Sequence, residues 1–229
     1  MAGLTSLKIK DSYKSLLRVN DSTNGVDSSL EVIEDGEGTD TPIKVSTTNV
    51  TVLDHQVNTQ YAYFGAPATD ISSFVEDIHY PIPFGFGTSS VQADVDFGTG
   101  TDPDDTFTTA DTDTQYASQL VPVLWRIPDD ITIDSVTHIE GGDNATGDVT
   151  RMHLKSFTFT SGATACLTAG ALLAHNSDVT NAGNEQPYLS TWTVDSANVN
   201  AAKVILCFFR CDTNESDYSI NVTVKYHLR

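Results

Sequence analysis

The chain has 229 residues and a formal net charge of −19, from 31 acidic and 12 basic residues. So acidic a surface repels phosphate backbones and anionic membranes, which makes nucleic acid and lipid poor partners. No run reaches the roughly 18 apolar residues that span a bilayer, so we expect no membrane insertion. The composition is rich in turn and strand residues, and it predicts strands joined by long polar loops.

The cysteines predict a reducing environment during folding. Cys207 and Cys211 lie four residues apart in a predicted strand, too far from each other for a disulfide, and Cys166 has no partner by spacing. The first residues have no apolar signal core. We therefore expect synthesis in the cytoplasm without export by a cleaved signal.

Residues 1–64 are predicted to form a small module of short strands. Strand patterns at 7–10, 15–19, 30–34, 43–45 and 50–53 are separated by turn signals such as Asn24-Gly25. About a dozen aliphatic side chains on strands of three to five residues are too few for an independent core. The apolar side of this module must therefore be covered by the rest of the chain, by identical chains or by a host assembly.

Residues 65–117 are predicted to form an irregular acidic connecting segment. Seven aspartates and no basic residue lie between Asp94 and Asp113. Oxygen ligands of this kind suit calcium, but the spacing does not match an EF-hand loop. We expect a solvated, self-repelling loop without tight calcium binding.

Residues 118–229 are predicted to form a C-terminal β-sandwich, and the long, uneven connections favour a jelly roll over an immunoglobulin-like topology. The stretch 163–174 consists of small residues and predicts at most one helical turn. Alternating or apolar strand patterns cover 120–127, 131–139, 152–159, 188–194, 202–209 and 218–228. The whole chain is thus predicted to be all-β.

The residues that could carry chemistry do not assemble into a known catalytic motif. Neither a nucleophile elbow, nor a phosphate-binding loop, nor a zinc-protease motif occurs. His138 and His153 could lie on adjacent strands, but a half-buried or rim position for His138 is favoured over a metal ligand. Asp129, Asp130 and Glu140 are interpreted as strand-end residues rather than a catalytic carboxylate pair. We expect no enzyme, no cofactor and no metal site.

Two runs near the N-terminus resemble a module of tailed-bacteriophage virion proteins. They are Leu7 to Asn20, LKIKDSYKSLLRVN, and Ser28 to Ser46, SSLEVIEDGEGTDTPIKVS. Proteins with this module are described as head fibres, tail fibres or virion structural proteins. The resemblance implies a short homotrimeric fibre or decoration protein on the virion, bound to other capsid or tail proteins through its N-terminus. The attachment and trimer contacts that it implies are Leu7, Ile9, Lys10, Leu16, Leu17, Arg18, Leu30, Val32, Ile33, Ile43 and Val45.

Two other functions fit the sequence less well. A receptor-binding tail-fibre tip would bind host-surface glycan, with Trp192 or Tyr188 stacking on sugar, although both belong to strand patterns that predict burial. A polysaccharide depolymerase would need a long parallel β-helix or a deep cleft, for which the chain has no room. A location on the capsid and one on the tail are equally compatible with the sequence.

Overall fold

The computed structural model describes residues 17–21, 23–70, 75–86, 95–109, 117–143, 146–183, 186–213 and 217–229. The chain divides into two compact units, Met1–Thr59 and Gln60–Arg229. The predicted connecting segment therefore belongs, where it is described, to the same unit as the sandwich. The predicted strand at 7–10 lies outside the described residues. No helix in these ranges is long and apolar enough to cross a membrane.

The first unit contains one antiparallel sheet whose five strands follow the chain order. An aspartate and a glycine stabilise the turn between its second and third strands. The Asp35 carboxylate accepts hydrogen bonds from the backbone N–H groups of Glu37 and Thr39, and Gly38 has a φ of +85°. The strands are β1 (Arg18–Val19), β2 (Glu31–Glu34), β3 (Asp40–Val45), β4 (Val50–Val52) and β5 (His55–Gln56).

The second unit contains two sheets. The six-stranded sheet consists of β6 (Thr59–Asp70), β8 (Gly85–Phe86), β10 (Ile131–Asp143), β14 (Pro187–Thr191), β16 (Asn198–Val199) and β18 (Asp217–Leu228). The seven-stranded sheet consists of β7 (Tyr80–Ile82), β9 (Trp125–Arg126), β11 (Val149–Phe159), β12 (Leu167–His175), β13 (Val179–Thr180), β15 (Thr193–Val194) and β17 (Lys203–Cys211).

Strand order places the long strands at the centre of both sheets. The first runs β14-β10-β18-β6-β8, with β16 also on β10, and the second runs β15-β12-β11-β17-β7, with β13 on β11 and β9 on β17. Ladders β10–β18 and β11–β17 are antiparallel, whereas β6 and β8 pair in parallel. The fold is all-β and sandwich-like, which confirms the predicted fold class.

Two hydrophobic clusters lie on opposite faces of the seven-stranded sheet. The first cluster fills the sandwich, where Val136 and Val224 from one sheet meet Met152 and Leu154 from the other. The second cluster lies on the outer face, around Phe157 of β11 and the alternate residues Val204, Leu206 and Phe208 of β17. Successive side chains of β17 point alternately into the first and the second cluster, so almost the whole strand is apolar.

Two local predictions were wrong, each for a physical reason. The stretch 163–174 is largely strand β12, because its small residues admit another segment of the chain close to the sheet. A Cβ on Gly170 would lie only 2.7 Å from the Cα of Asp105. The run 120–127 contains only two strand residues, Trp125 and Arg126: helix α1 (Ala117–Leu120) leads into the 3₁₀ turn Val121–Val123, where Pro122 occupies the first turn.

Candidate functional site

The sheet of the first unit has one apolar face. Residues directly opposite each other in an antiparallel pair point to the same side, and the register pairs Ile43 with Val52 and Val45 with Val50. Glu31 lies opposite Val45 and shares this side. The apolar face, as we call it, comprises Val19, Ile33, Ile43, Val45, Val50 and Val52.

This apolar face is not covered by a core. Val50 is 46% exposed and Val52 is 39% exposed. Among residues 17–59, omitting 22, no hydrophobic side chain is buried, and both hydrophobic clusters consist of residues beyond position 60. Aliphatic surface left in water forfeits about 25 cal/mol per Å² of the stabilisation that burial would give. The predicted lack of an independent core is therefore found in the described part of this unit.

The opposite side of the sheet carries the charges. Arg18 forms an ion pair with Glu34 at 2.5 Å, and Lys44 forms one with Asp54 at 2.5 Å. A hydrogen bond from Lys44 holds the pKa of the exposed Asp54 carboxyl below its usual value. The sheet is thus amphipathic: its ion pairs and Val32 lie on one side, and the six aliphatic side chains of the apolar face lie on the other.

The residues predicted to form attachment and trimer contacts fall into four groups. Ile33, Ile43 and Val45 lie on the apolar face. Arg18 and Val32 lie on the opposite side, where their register partners are Glu34 and Lys44. Leu17 and Leu30 precede strands and are 60% and 45% exposed. Leu7, Ile9, Lys10 and Leu16 lie outside the described residues.

The sequence analysis missed Val19, Val50 and Val52 as members of the apolar face. Their signal was present, because Val50 and Val52 alternate with Thr51 in a predicted strand. What sequence does not give is the register that sets these valines opposite Val45 and Ile43.

In the second unit, residues 95–109 form a strap across the outer face of the seven-stranded sheet. Two aromatic side chains of this strap are buried in the second cluster. Phe97 stacks on Phe107 with ring centroids 5.2 Å apart, and it meets the Phe208 ring edge-on at 4.7 Å. The backbone N–H of Phe107 donates to the carbonyl of Leu167 at 3.0 Å.

The strap corrects the prediction of a solvated, self-repelling loop. Pro103, Phe97 and Phe107 are buried, while the aspartates between them remain accessible, and two of these, Asp102 and Asp105, face His153 and Lys155 on the sheet. Asp94, Asp111 and Asp113, which belonged to the same prediction, lie outside the described residues. The sequence shows the acids but not their partners, which lie more than forty residues further along the chain.

Four polar contacts tie the strap to the sheet and to the turn before β7. Lys155 pairs with Asp105 at 2.6 Å and also donates to the carbonyl oxygen of Pro103. Nε2 of His153 lies 3.4 Å from Oδ1 of Asp102. Nε2 of His79 lies 3.0 Å from the carbonyl oxygen of Gly100.

The two histidines under the strap touch each other. Their rings meet edge-on with centroids 4.8 Å apart, and His79 and His153 are 0% and 1% exposed. Burial, together with a smaller effect of the positive charge of Arg210, lowers the pKa of His79 from 6.5 to about 4. Burial lowers the pKa of His153 to about 3, and neighbouring His79 and Arg151 act in the same direction. Both rings are therefore neutral at pH 7.

A second buried polar group lies inside the sandwich. His138 accepts a hydrogen bond at Nδ1 from the Trp192 indole at 2.6 Å, and its Nε2 lies 3.5 Å from Oε1 of Glu140. The hydroxyl of Thr150 donates to the same carboxylate oxygen at 2.7 Å. Such a network fixes the pairing of the two sheets at this end of the sandwich.

This network corrects two predictions. His138 is 0% exposed rather than half-buried or at a rim, and Glu140 is 2% exposed within β10 rather than at an ordinary strand end. β10 runs four residues beyond the predicted end at 139, so Glu140 continues the inward alternation. His138 faces the sandwich interior whereas His153 faces the strap, so the two histidines do not form a common site.

The remaining candidates for chemistry are inert or occupied. Within the described ranges, no group of three or more His, Cys, Asp or Glu side chains is placed to hold a metal ion. Cys166, Cys207 and Cys211 are free and buried, as the spacing predicted, and burial raises the pKa of each thiol. Raised thiol pKa values disfavour the reactive thiolate.

The aromatic residues considered for glycan stacking are also engaged. Trp192 is 5% exposed and donates its indole N–H to His138, so its face is not available to a sugar. The hydroxyl of Tyr188 accepts a hydrogen bond from the backbone N–H of Ala182 and donates to Gln186.

The chain was compared with known proteins. No family model matches it, and no curated protein matches it.

Proposed function

We propose that this chain is a structural protein of a tailed-bacteriophage particle, a homotrimeric fibre or decoration protein anchored through its N-terminal unit. The observation that carries the proposal is the apolar face: six aliphatic side chains on a five-stranded sheet without a buried hydrophobic residue in its described part. An open sheet of this size is marginal in water unless its apolar side is covered.

Sister copies are the occupant that we propose for this face. The chain carries a net charge of −19, so most of its surface repels an identical chain. The apolar face is an exception, because Glu31 is the only acidic residue in its register and the ion pairs lie on the opposite side. Three copies can therefore bring these faces together around a threefold axis with little repulsion.

The resemblance of residues 7–20 and 28–46 to virion modules supports a particle as the second partner. The acidic surface argues against nucleic acid and anionic lipid as partners. Anchoring by the N-terminal unit leaves the sandwich projecting from the particle, as a short decoration or fibre head. Receptor-glycan binding by the sandwich is the weaker alternative, since Trp192 is buried and hydrogen-bonded.

Two valines of equal exposure allow a matched test of this proposal. Val50 lies on the apolar face and Val26 lies outside the strands, yet each is 46% exposed. We expect the full chain to sediment as a trimer in analytical ultracentrifugation and V26D to do the same. V50D should sediment as a monomer, because three buried carboxylates would meet at the interface.

The same variants test attachment. Phage particles assembled with V26D should contain the protein at the wild-type level, as measured by mass spectrometry of purified particles, whereas V50D should reduce it at least tenfold. A monomeric wild-type chain would overturn the trimer, and normal incorporation of a monomeric V50D would overturn anchoring through the apolar face.

A further inference from the structure

The strap covers two neutral histidines whose rings are in contact, which distinguishes it from an ordinary loop on a β-sandwich. His79 and His153 have ring centroids 4.8 Å apart, and His153 also lies over the His175 ring at 6.4 Å. Each of the two buried rings contacts the strap through Nε2, at Gly100 or Asp102.

We propose that residues 95–109 are an acid-released cover, which leaves the outer face of the seven-stranded sheet when His79 and His153 take up protons. The inference is independent of the proposed function. Its basis is geometric: once both rings are charged, two cations lie in contact under a strap that offers only one carboxylate to them, Asp102.

The surroundings amplify this repulsion. The groups that face the two histidines are Arg151 and Lys155 on β11, His175 on β12, Arg210 on β17 and Asp102 on the strap, and the first four are paired with Asp178, Asp105, Asp195 and Asp77. Most nearby carboxylates are thus already engaged by other cations. Opening the strap returns both imidazoles to water, where the charged form is stable.

The direction of the pH dependence follows from proton uptake. Both histidines have a pKa below 6.5 when the strap is closed, so the open state binds more protons at mildly acidic pH. The closed state keeps its full stability above pH 6.5 and loses it as the pH falls from 6.5 towards 4 for His79 and towards 3 for His153. At pH 5 each histidine shifts the equilibrium towards opening by about thirtyfold, and the two together by about a thousandfold.

Opening exposes a defined apolar surface. Phe97 and Phe107 leave the second cluster, and Phe157, Leu206 and Phe208 lose their cover. The first cluster, on the other face of the sheet, keeps its contacts. The expected result of mild acid is therefore a local opening of the strap, with the sandwich still folded.

Hydrogen exchange followed by mass spectrometry tests this on the full chain. After correction for the intrinsic pH dependence of exchange, protection of peptides covering 95–109 should fall about a thousandfold between pH 7.5 and 5. Peptides covering β17 and β18 should keep their protection. Loss of protection in all three together would mean global unfolding and would overturn the proposal, as would a pH-independent strap.

Histidine variants separate this mechanism from general acid sensitivity. H79Q and H153Q retain a neutral amide donor, and each should reduce the pH effect on the strap to about thirtyfold. H227Q is the matched control, because His227 pairs with Asp134 on the six-stranded sheet, and it should leave the thousandfold effect intact. An unchanged effect in both H79Q and H153Q would overturn the proposal.

An NMR titration gives a second measurement that does not depend on variants. The ring signals of His79 and His153 should show no titration of the closed state between pH 7.5 and 5.5. Titration of either ring near 6.5 in a protein whose strap remains protected would show that protonation and release are not coupled, and would overturn the proposal.

Discussion

The two units of this protein solve the problem of covering a β-sheet in different ways. In the second unit, the chain covers its own sheets: one face of the seven-stranded sheet packs in the sandwich and the other lies under the strap. In the first unit, the described residues leave the apolar face open. The second unit thus supplies its own core, whereas the described residues of the first unit do not.

The largest expected effect comes from separating the units. Residues 60–229 alone should unfold cooperatively at a temperature that does not depend on protein concentration, because both hydrophobic clusters lie within them. Any transition shown by residues 1–59 should move to higher temperature as concentration rises, since association supplies its cover. Circular dichroism at concentrations a hundredfold apart measures both. A cooperative, concentration-independent unfolding transition of residues 1–59 would show that the first unit has a core of its own.

A smaller effect distinguishes buried from exposed aromatic residues within the second unit. F208A should lower the free energy of unfolding by about 3–5 kcal/mol, because Phe208 is fully buried among the rings of the second cluster. F159A is the control, since Phe159 is 43% exposed, and it should cost less than about 1 kcal/mol. Urea unfolding measures the difference, and equal losses would show that the strap does not form a core.

The smallest effect compares one residue type in the two units. V222A in β18 should cost about 1.5–3 kcal/mol, because Val222 is 0% exposed. V52A in β4 should leave the unfolding of the second unit unchanged, and in monomeric protein it should have no measurable effect on stability. A loss from V52A equal to that from V222A would show that the first unit has a core of its own.

Much of the fold could be predicted because apolar and polar residues alternate along its long strands. β10, β11 and β18 were predicted from period-two patterns; burial alternates along β10 and β18, whereas β11 is buried on both faces from Met152 to Phe157. The absence of a core among the described residues of the first unit also followed from its few aliphatic residues. The inward-facing positions of a strand follow from the alternation of that strand alone. These features could therefore be predicted without knowing which strands pair.

The strap and the buried polar groups could not be predicted, because they depend on segments distant in sequence. Asp105 looks like a solvated acid until Lys155 is placed beside it, and Glu140 looks like a strand end until Thr150 supplies its donor. The apolar face was found only in part, since three of its members were identified by resemblance and the rest needed the register.

Gly170 gives the strap a steric requirement separate from its charges. Its backbone N–H donates to the carbonyl of Asp105 at 2.9 Å, and a methyl group there would lie 2.9 Å from both Lys155 and Phe157. Alanine readily adopts the backbone angles of a β-strand such as β12. The methyl group of G170A would therefore be inserted between β12 and the strap. G170A would therefore displace the strap by steric contact at neutral pH, without removing any ionisable group.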